Sequence, residues 1–343
     1  MTIERRIVGE HAGIPVLGFT LRNRHGLVAR MMTFGACLTE LHVPDKAGRM
    51  ADIVLGFDDL GDYVTTDTYF GATCGRYGGR IRAGRFRLDD RWVQVAQNEA
   101  PNHLHGGAVG FDKQVWAAWP DETDNSVTFS LVSSSGSQGY PGEVCVTSKY
   151  ALTDDRLILT MIGITDAPTI LNMVHHSYWN LAGHASGSIL EHRLTMPADF
   201  YTPIDAELMP TGEILSVAGT AFDFREEKGI GRDLHAIHGA GYDHNFVLSG
   251  IHDGLRPVAQ VYDPASGRGL RVRATEPGVQ FYTGGYLSPR VIGKGKTPYG
   301  AFAGFTLETQ KFPDAPNFAH FPSARLDPGQ LYRHCMEIEF YTS

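Results

Sequence analysis

The chain has 343 residues, of which 42 % are hydrophobic and 20 % charged, with 40 glycines and 18 prolines. That hydrophobic share excludes disorder, which needs low hydrophobicity and high net charge. Glycine and proline at this density argue against a helical bundle or coiled coil, and a net charge of −8 argues against nucleic acid or an anionic membrane as a partner.

The N-terminus from Met1 to Arg6 has no apolar core, so no signal peptide is expected. No apolar run approaches the ~20 residues a membrane span needs, and the expected location is cytoplasmic. Cys37, Cys74, Cys145 and Cys335 are scattered through apolar runs, and three of them read as strand interiors, where a free cysteine is a small hydrophobe. Disulfides are possible but unnecessary for a core this large.

In chain order, Asp58 to Tyr63 predicts one or two helical turns. Phe86 and Leu88, then Trp92, Val93 and Val95, predict a hairpin around Asp89-Asp90. Val127, Phe129 and Leu131 alternate with Ser126, Thr128 and Ser130, the period of a half-buried strand. Val144 to Tyr150 turns at Asp154-Asp155 and returns through Leu157, Leu159 and Met161. Glu226 to His238 is the remaining helical candidate. Val258 to Tyr262 and Leu270 to Ala274 flank a turn at Asp263 to Gly267, and Cys335 to Tyr341 forms a last strand. Strands joined directly by turns predict an all-β fold, an antiparallel sandwich or barrel with few short helices. No linker divides the chain, so one domain over residues 1–343 is expected.

Five segments hold the candidate chemistry. Phe70 to Ile81 carries glycines at 71, 75, 78 and 79 with Arg76 and Arg80; it matches neither the phosphate loop nor the dinucleotide pattern. Pro101 to Gly107 contains Asn102 and a His103-x-His105 pair. Such a pair begins many metal sites, but no further ligand follows, and the glycines can also split the two imidazoles onto different sides. His175-His176 ends an apolar strand, where adjacent residues face opposite ways and one at most enters a given pocket. Asp243 stands in Tyr242 to Phe246, which reads equally as a turn. Glu308 lies among Phe302, Phe305 and Phe312, and a carboxylate so surrounded must be paired, hydrogen-bonded or functional. Gly-x-Ser-x-Gly, CxxC and His-Glu-x-x-His are all absent. Proton transfer by a carboxylate and a histidine in a polar, aromatic-walled pocket remains, and such a pocket suits a sugar.

These segments, together with Asp52 to Phe57, Leu104 to Gly107, His176 to Tyr178, Gly219 to Asp223, Asp243 to Asn245, Pro277 to Gly284 and Leu307 to Gln310, resemble the aldose 1-epimerases (galactose mutarotases) in order and spacing. The likeness runs from about Gly35 to Phe340. It implies a large antiparallel β-sandwich (the supersandwich of galactose mutarotase-like proteins) with a sugar cleft on its concave side. The implied reaction interconverts the α and β anomers of free aldoses such as galactose or glucose, with no metal and no organic cofactor, in a monomer or homodimer. By motif, Glu308 is the base at the C1 hydroxyl, His176 the acid at the ring oxygen, and His105 steadies the reacting region. Arg80, Asp243, Gln280 and Asn102 are the implied sugar-binding residues.

Two positions depart from the family pattern, which usually has asparagine where Gly79 stands and often has it at His175. Ordinary values of about 4.3 for glutamate and about 6.5 for histidine leave Glu308 ionised at neutrality. His176 then needs its pKa raised, as a neighbouring carboxylate would do. Three other readings stand beside this one. A hexose-6-phosphate epimerase would draw a basic cluster from Arg76, Arg82 and Arg85. A sugar-binding protein without turnover would not need Glu308 and His176 together. A metal-dependent isomerase would use His103 and His105.

Overall fold

The alternating segments pair through the turns between them. In the computed structural model, which describes residues 3–250 and 254–343, three antiparallel sheets carry most of the strands. The first is a meander of Glu4–His11, Ile14–Arg22, Val28–Met32, Cys37–Pro44 and Met50–Asp52. The broad sheet has nine strands in the spatial order Ala117–Asp121, Ser126–Ser133, Val144–Leu152, Arg156–Thr165, Tyr332–Thr342, Arg268–Ala274, Arg256–Tyr262, Arg193–Thr195 and Lys228–Gly229. The third, hereafter the site sheet, runs Leu215–Ser216, Phe200–Thr202, Asp243–Val247, Gly278–Tyr282 and Thr306–Gln310.

Period-two alternation decides which side of each sheet is dry. Phe129, Tyr150, Leu159 and Met336 of the broad sheet join Val279, Phe281 and Leu307 of the site sheet and Phe19 and Leu21 of the meander in one continuous buried cluster. Each such side chain contributes about 1.5–3 kcal/mol on burial. The same alternation turns Gln280, Glu308 and Gln310 away from that cluster and into a cavity. Packing one face of the site sheet thus sets the chemistry of the other.

The predicted hairpins at Asp89-Asp90, Asp154-Asp155 and Asp263 to Gly267 are all formed. The short helix is there too, as Leu60–Thr65. The helix expected over Glu226 to His238 is not: the segment holds a two-residue strand, Lys228–Gly229, and a 3₁₀ turn at Leu234–Ala236. Gly229 and Gly231 weaken a helix there. Lys228 draws the chain inward instead, donating to the Ala221 carbonyl at 2.6 Å and Asp233 at 2.8 Å beneath the Phe224 ring. The four cysteines are free, but Cys145 is exposed on the outer side of its strand and is no core hydrophobe. No helix among the described residues is long and apolar enough to cross a membrane.

Candidate active site

A cavity of about 420 Å³ opens over the site sheet. Its floor is a row of paired residues running across four strands, Thr202, Asn245, Gln280 and Glu308, each opposite the next in register. Glu308 is 2 % exposed. Thr306, two residues back on the same face, donates its hydroxyl to Glu308 Oε1 at 2.8 Å.

His176 comes from the short strand Val174–His176, paired with Ala72–Cys74. Its Nε2 lies 3.4 Å from Glu308 Oε1. His175 points the other way, into the core beside Tyr150 and Trp179. The alternation expected for the pair is therefore observed. Tyr69 lies over both His176 and His105, with ring centres 5.6 and 4.7 Å away, and Tyr178 flanks His176.

The His103-x-His105 pair is split. His103 is buried behind the pocket, bonded to Tyr140 Oη and the Ala96 carbonyl, both at 2.6 Å. His105 enters the cavity. The turn that follows needs glycine: a Cβ on Gly106 would lie 1.8 Å from the Gly75 carbonyl oxygen. The Gly79 amide donates to His105 Nδ1 at 3.1 Å. Nδ1 is thus the acceptor, which leaves the proton of a neutral imidazole on Nε2.

Arg80 is anchored rather than free. Its Nε and Nη2 grip Glu99 at 2.6 and 2.8 Å, and Nη1 approaches Asp243 at 3.6 Å. Asp243 accepts from Gln280 Nε2 at 2.7 Å. Asn102 does not join the cavity. Its Oδ1 accepts from the Ala83 amide at 2.9 Å and its amide reaches Glu207, so it braces a turn outside the pocket. Asn102 directly precedes the strand His103–Leu104, and the turn at Glu99–Asn102 carries it away from the cavity.

The titration states differ from the ordinary values used above. Burial pushes Glu308 up to about 8; Asp243 adds to the shift, while Arg80 and the Thr306 hydroxyl oppose it. Burial pushes His176 down to about 4, against a smaller upward pull from Asp243. A carboxylate does lie close enough to raise His176, but desolvation outweighs it. At neutral pH burial therefore favours the uncharged form of both groups, the carboxylic acid of Glu308 and the neutral imidazole of His176.

His105, His176 and Glu308 each bring one ligand-type atom within 4.8 Å of the others. The donor set fits a cation poorly, because His105 presents an N–H there and its lone pair is engaged by Gly79. The basic cluster required for a phosphorylated sugar is not assembled either. Arg76 is buried with its donors on Ser133, Ser134 and Pro141. Arg82 pairs with Asp205 and Arg85 stacks on Trp92, both outside the cavity lining.

A sequence model of the aldose 1-epimerase family matches residues 18–339. The chain belongs to the aldose 1-epimerase family. It is 44 % identical over 310 residues to the galactose mutarotases of Bos taurus and Homo sapiens, covering 90 % of each partner and of itself. It is 36 % identical over 335 residues to the aldose 1-epimerase of Escherichia coli K12, covering 96 % of both. The structure of the aldose epimerase homologue from C. elegans superposes with a TM-score of 0.88 at 30 % identity, over 94 % of this chain and 98 % of that one. The chain is accordingly an isomerase of aldoses on a mutarotase-type β-sandwich. Glu99 and Tyr69 line the cavity and Thr306 supports Glu308, although sequence reasoning assigned none of them a role. Tyr69 and Thr306 stood inside the motifs, while Glu99 had no signal but its place just before the turn that leads to His105.

Proposed function

We propose that Glu308 and His176 interconvert the anomers of free neutral aldoses, galactose and glucose among them, by opening and reclosing the ring. The observation that carries this is the buried 3.4 Å approach of His176 Nε2 to Glu308 Oε1 at the end of a row of sugar-binding groups. In the productive form the shared proton sits on His176. Glu308 takes the proton of the C1 hydroxyl, O1 forms a carbonyl with C1, and the C1–ring oxygen bond breaks. His176 Nε2 gives its proton to the departing ring oxygen. Rotation about C1–C2 and the reverse steps then yield the other anomer.

Substrate binding supplies the hydrogen bonds that burial removed, and so favours the ionised pair over the neutral one. Thr306 occupies Oε1 of Glu308, leaving Oε2 for the sugar. His105 directs its Nε2–H towards the ring-oxygen side. Gln280 donates to Asp243, which Arg80 approaches at 3.6 Å, and these groups exchange those contacts for sugar hydroxyls. General acid and general base contribute roughly 10²–10⁴-fold each. The proposal includes a cytoplasmic site of action and one folding unit over residues 1–343, supported by the continuous core.

Polarimetry of freshly dissolved α-D-galactose and α-D-glucose tests this reading. The protein should speed equilibration of both, and EDTA should leave the rate unchanged. No acceleration, acceleration of hexose 6-phosphates alone, or loss in EDTA with recovery on adding metal would overturn it.

A further inference from the structure

We infer that His334 is a positioning residue, clamping the strand of Glu308 to the strand of His176 from the core side; the inference rests on the function proposed above. The two strands pair with different neighbours, Thr306–Gln310 with Gly278–Tyr282 and Val174–His176 with Ala72–Cys74. Among the described residues no ladder between them fixes the 3.4 Å approach of His176 Nε2 to Glu308 Oε1. Something else must hold the two chains in place.

At one end of the gap the backbone joins them. Trp179, three residues after His176, and Phe305, three before Glu308, exchange N–H···O bonds at 2.7 and 3.0 Å. At the other end the join is made by side chains. His334, on Tyr332–Thr342 of the broad sheet, is fully buried. Its Nδ1 lies 3.1 Å from the carbonyl of Met173, the residue before Val174–His176. Its Nε2 lies 2.8 Å from the hydroxyl of Thr309, the residue after Glu308. A carbonyl only accepts, so Nδ1 carries the proton and Nε2 accepts from Thr309. Burial holds the imidazole below its ordinary pKa, and the neutral ring can donate on one side and accept on the other. The same end is tied twice more: Tyr332 Oη accepts from the Met173 amide at 3.0 Å, and Asn172 Oδ1 accepts from the Lys311 amide at 2.9 Å.

The clamp does not touch the sugar. Alternation turns Thr309 to the side opposite Glu308, and neither Thr309 nor His334 lines the cavity. Two apolar groups of the same shape would stabilise that layer about as well. They would lack direction, because only a hydrogen bond weakens steeply as its angle departs from linear. His334 thus sets the separation of the two reacting groups, and a shift of about 1 Å there can cost 10²-fold in rate.

Substitutions at both ends test this. Thr309→Val keeps the shape and removes the hydroxyl, so kcat for α-D-galactose should fall about tenfold. KM should stay near wild type, because Arg80, Asp243 and Gln280 lie on other strands and only the reacting pair is displaced. Thr309→Ser should recover most of that loss, although it gives up a buried methyl. His334→Leu should lower kcat at least as far as Thr309→Val. Combining the two should fall no further than His334→Leu, since both break one bond. Additive losses, equal kcat in Thr309→Val and Thr309→Ser, or a loss confined to KM would overturn the clamp. The two Thr309 variants decide the matter alone where His334→Leu does not fold. No acceleration by the wild-type protein would instead overturn the functional reading beneath it.

Discussion

Two glutamates in this molecule each sit beside a histidine, and they have opposite acidities. Glu40 lies 2.7 Å from His42 and accepts both 2.8 Å contacts from Arg30, while neighbouring Asp52 takes the Lys294 ammonium. Burial raises Glu40, but the bonds from His42 and Arg30 outweigh it and hold the carboxyl at about 2. Glu308 lies 3.4 Å from His176 with no cation of its own, since Arg80 is engaged by Glu99 and Asp243. Burial wins, and Glu308 rises to about 8. Both clusters also gather three ligand-type atoms within 4.8 Å. Residue type and spacing therefore do not separate them. Counter-charge does: Arg30 holds the first carboxyl ionised, and burial without a cation of its own raises the second.

The largest contrast is expected in activity. Glu308→Gln and His176→Ala should each lower kcat/KM by about 10²–10⁴-fold. Glu40→Gln should leave polarimetric rates near wild type. Comparable losses at all three positions would dissolve the distinction.

Stability should move in opposite directions. A carboxyl whose folded pKa is raised contributes fully only below its unfolded value, and its contribution is lost as pH rises towards about 8. Glu308→Gln should therefore raise stability at pH 7 by about 1–3 kcal/mol while abolishing activity. Glu40, with a depressed folded pKa, contributes above its unfolded value and loses that as pH falls towards about 2. Its replacement by Gln should cost about 0.5–1 kcal/mol at pH 7, allowing for solvent screening of a partly exposed pair. Thermal unfolding of both variants at pH 7 and pH 4 checks the signs.

A smaller effect tests what tempers Glu308. Thr306→Val removes a donor that favours the ionised carboxylate, so kcat should fall about tenfold. The alkaline limb of the pH profile should move upward. A lower kcat with an unmoved limb would mean that Thr306 only packs.

Much of this architecture could be read from side-chain alternation. Val127, Phe129 and Leu131 announce their strand, and acidic turn residues announce the hairpins. Glu308, His176, Arg80, Asp243 and Gln280 were legible as a motif set, and all five line the cavity. Their charge states were not, because burial of Glu308 depends on strands far away in sequence. Asn102 misled for a local reason, a turn that rotates it from the strand direction. Glu99 escaped because its meaning is its bond to Arg80, nineteen residues earlier in sequence. The helix expected near Lys228 failed because one buried ammonium outweighed a weak local preference.

The most direct test is the pH dependence of kcat/KM for α-D-galactose. A pair that shares one proton between about 4 and about 8 predicts a bell whose acid limb is loss of the base and whose alkaline limb is loss of the acid. A rate that rises once near the ordinary glutamate value and then stays flat to pH 10 would contradict it.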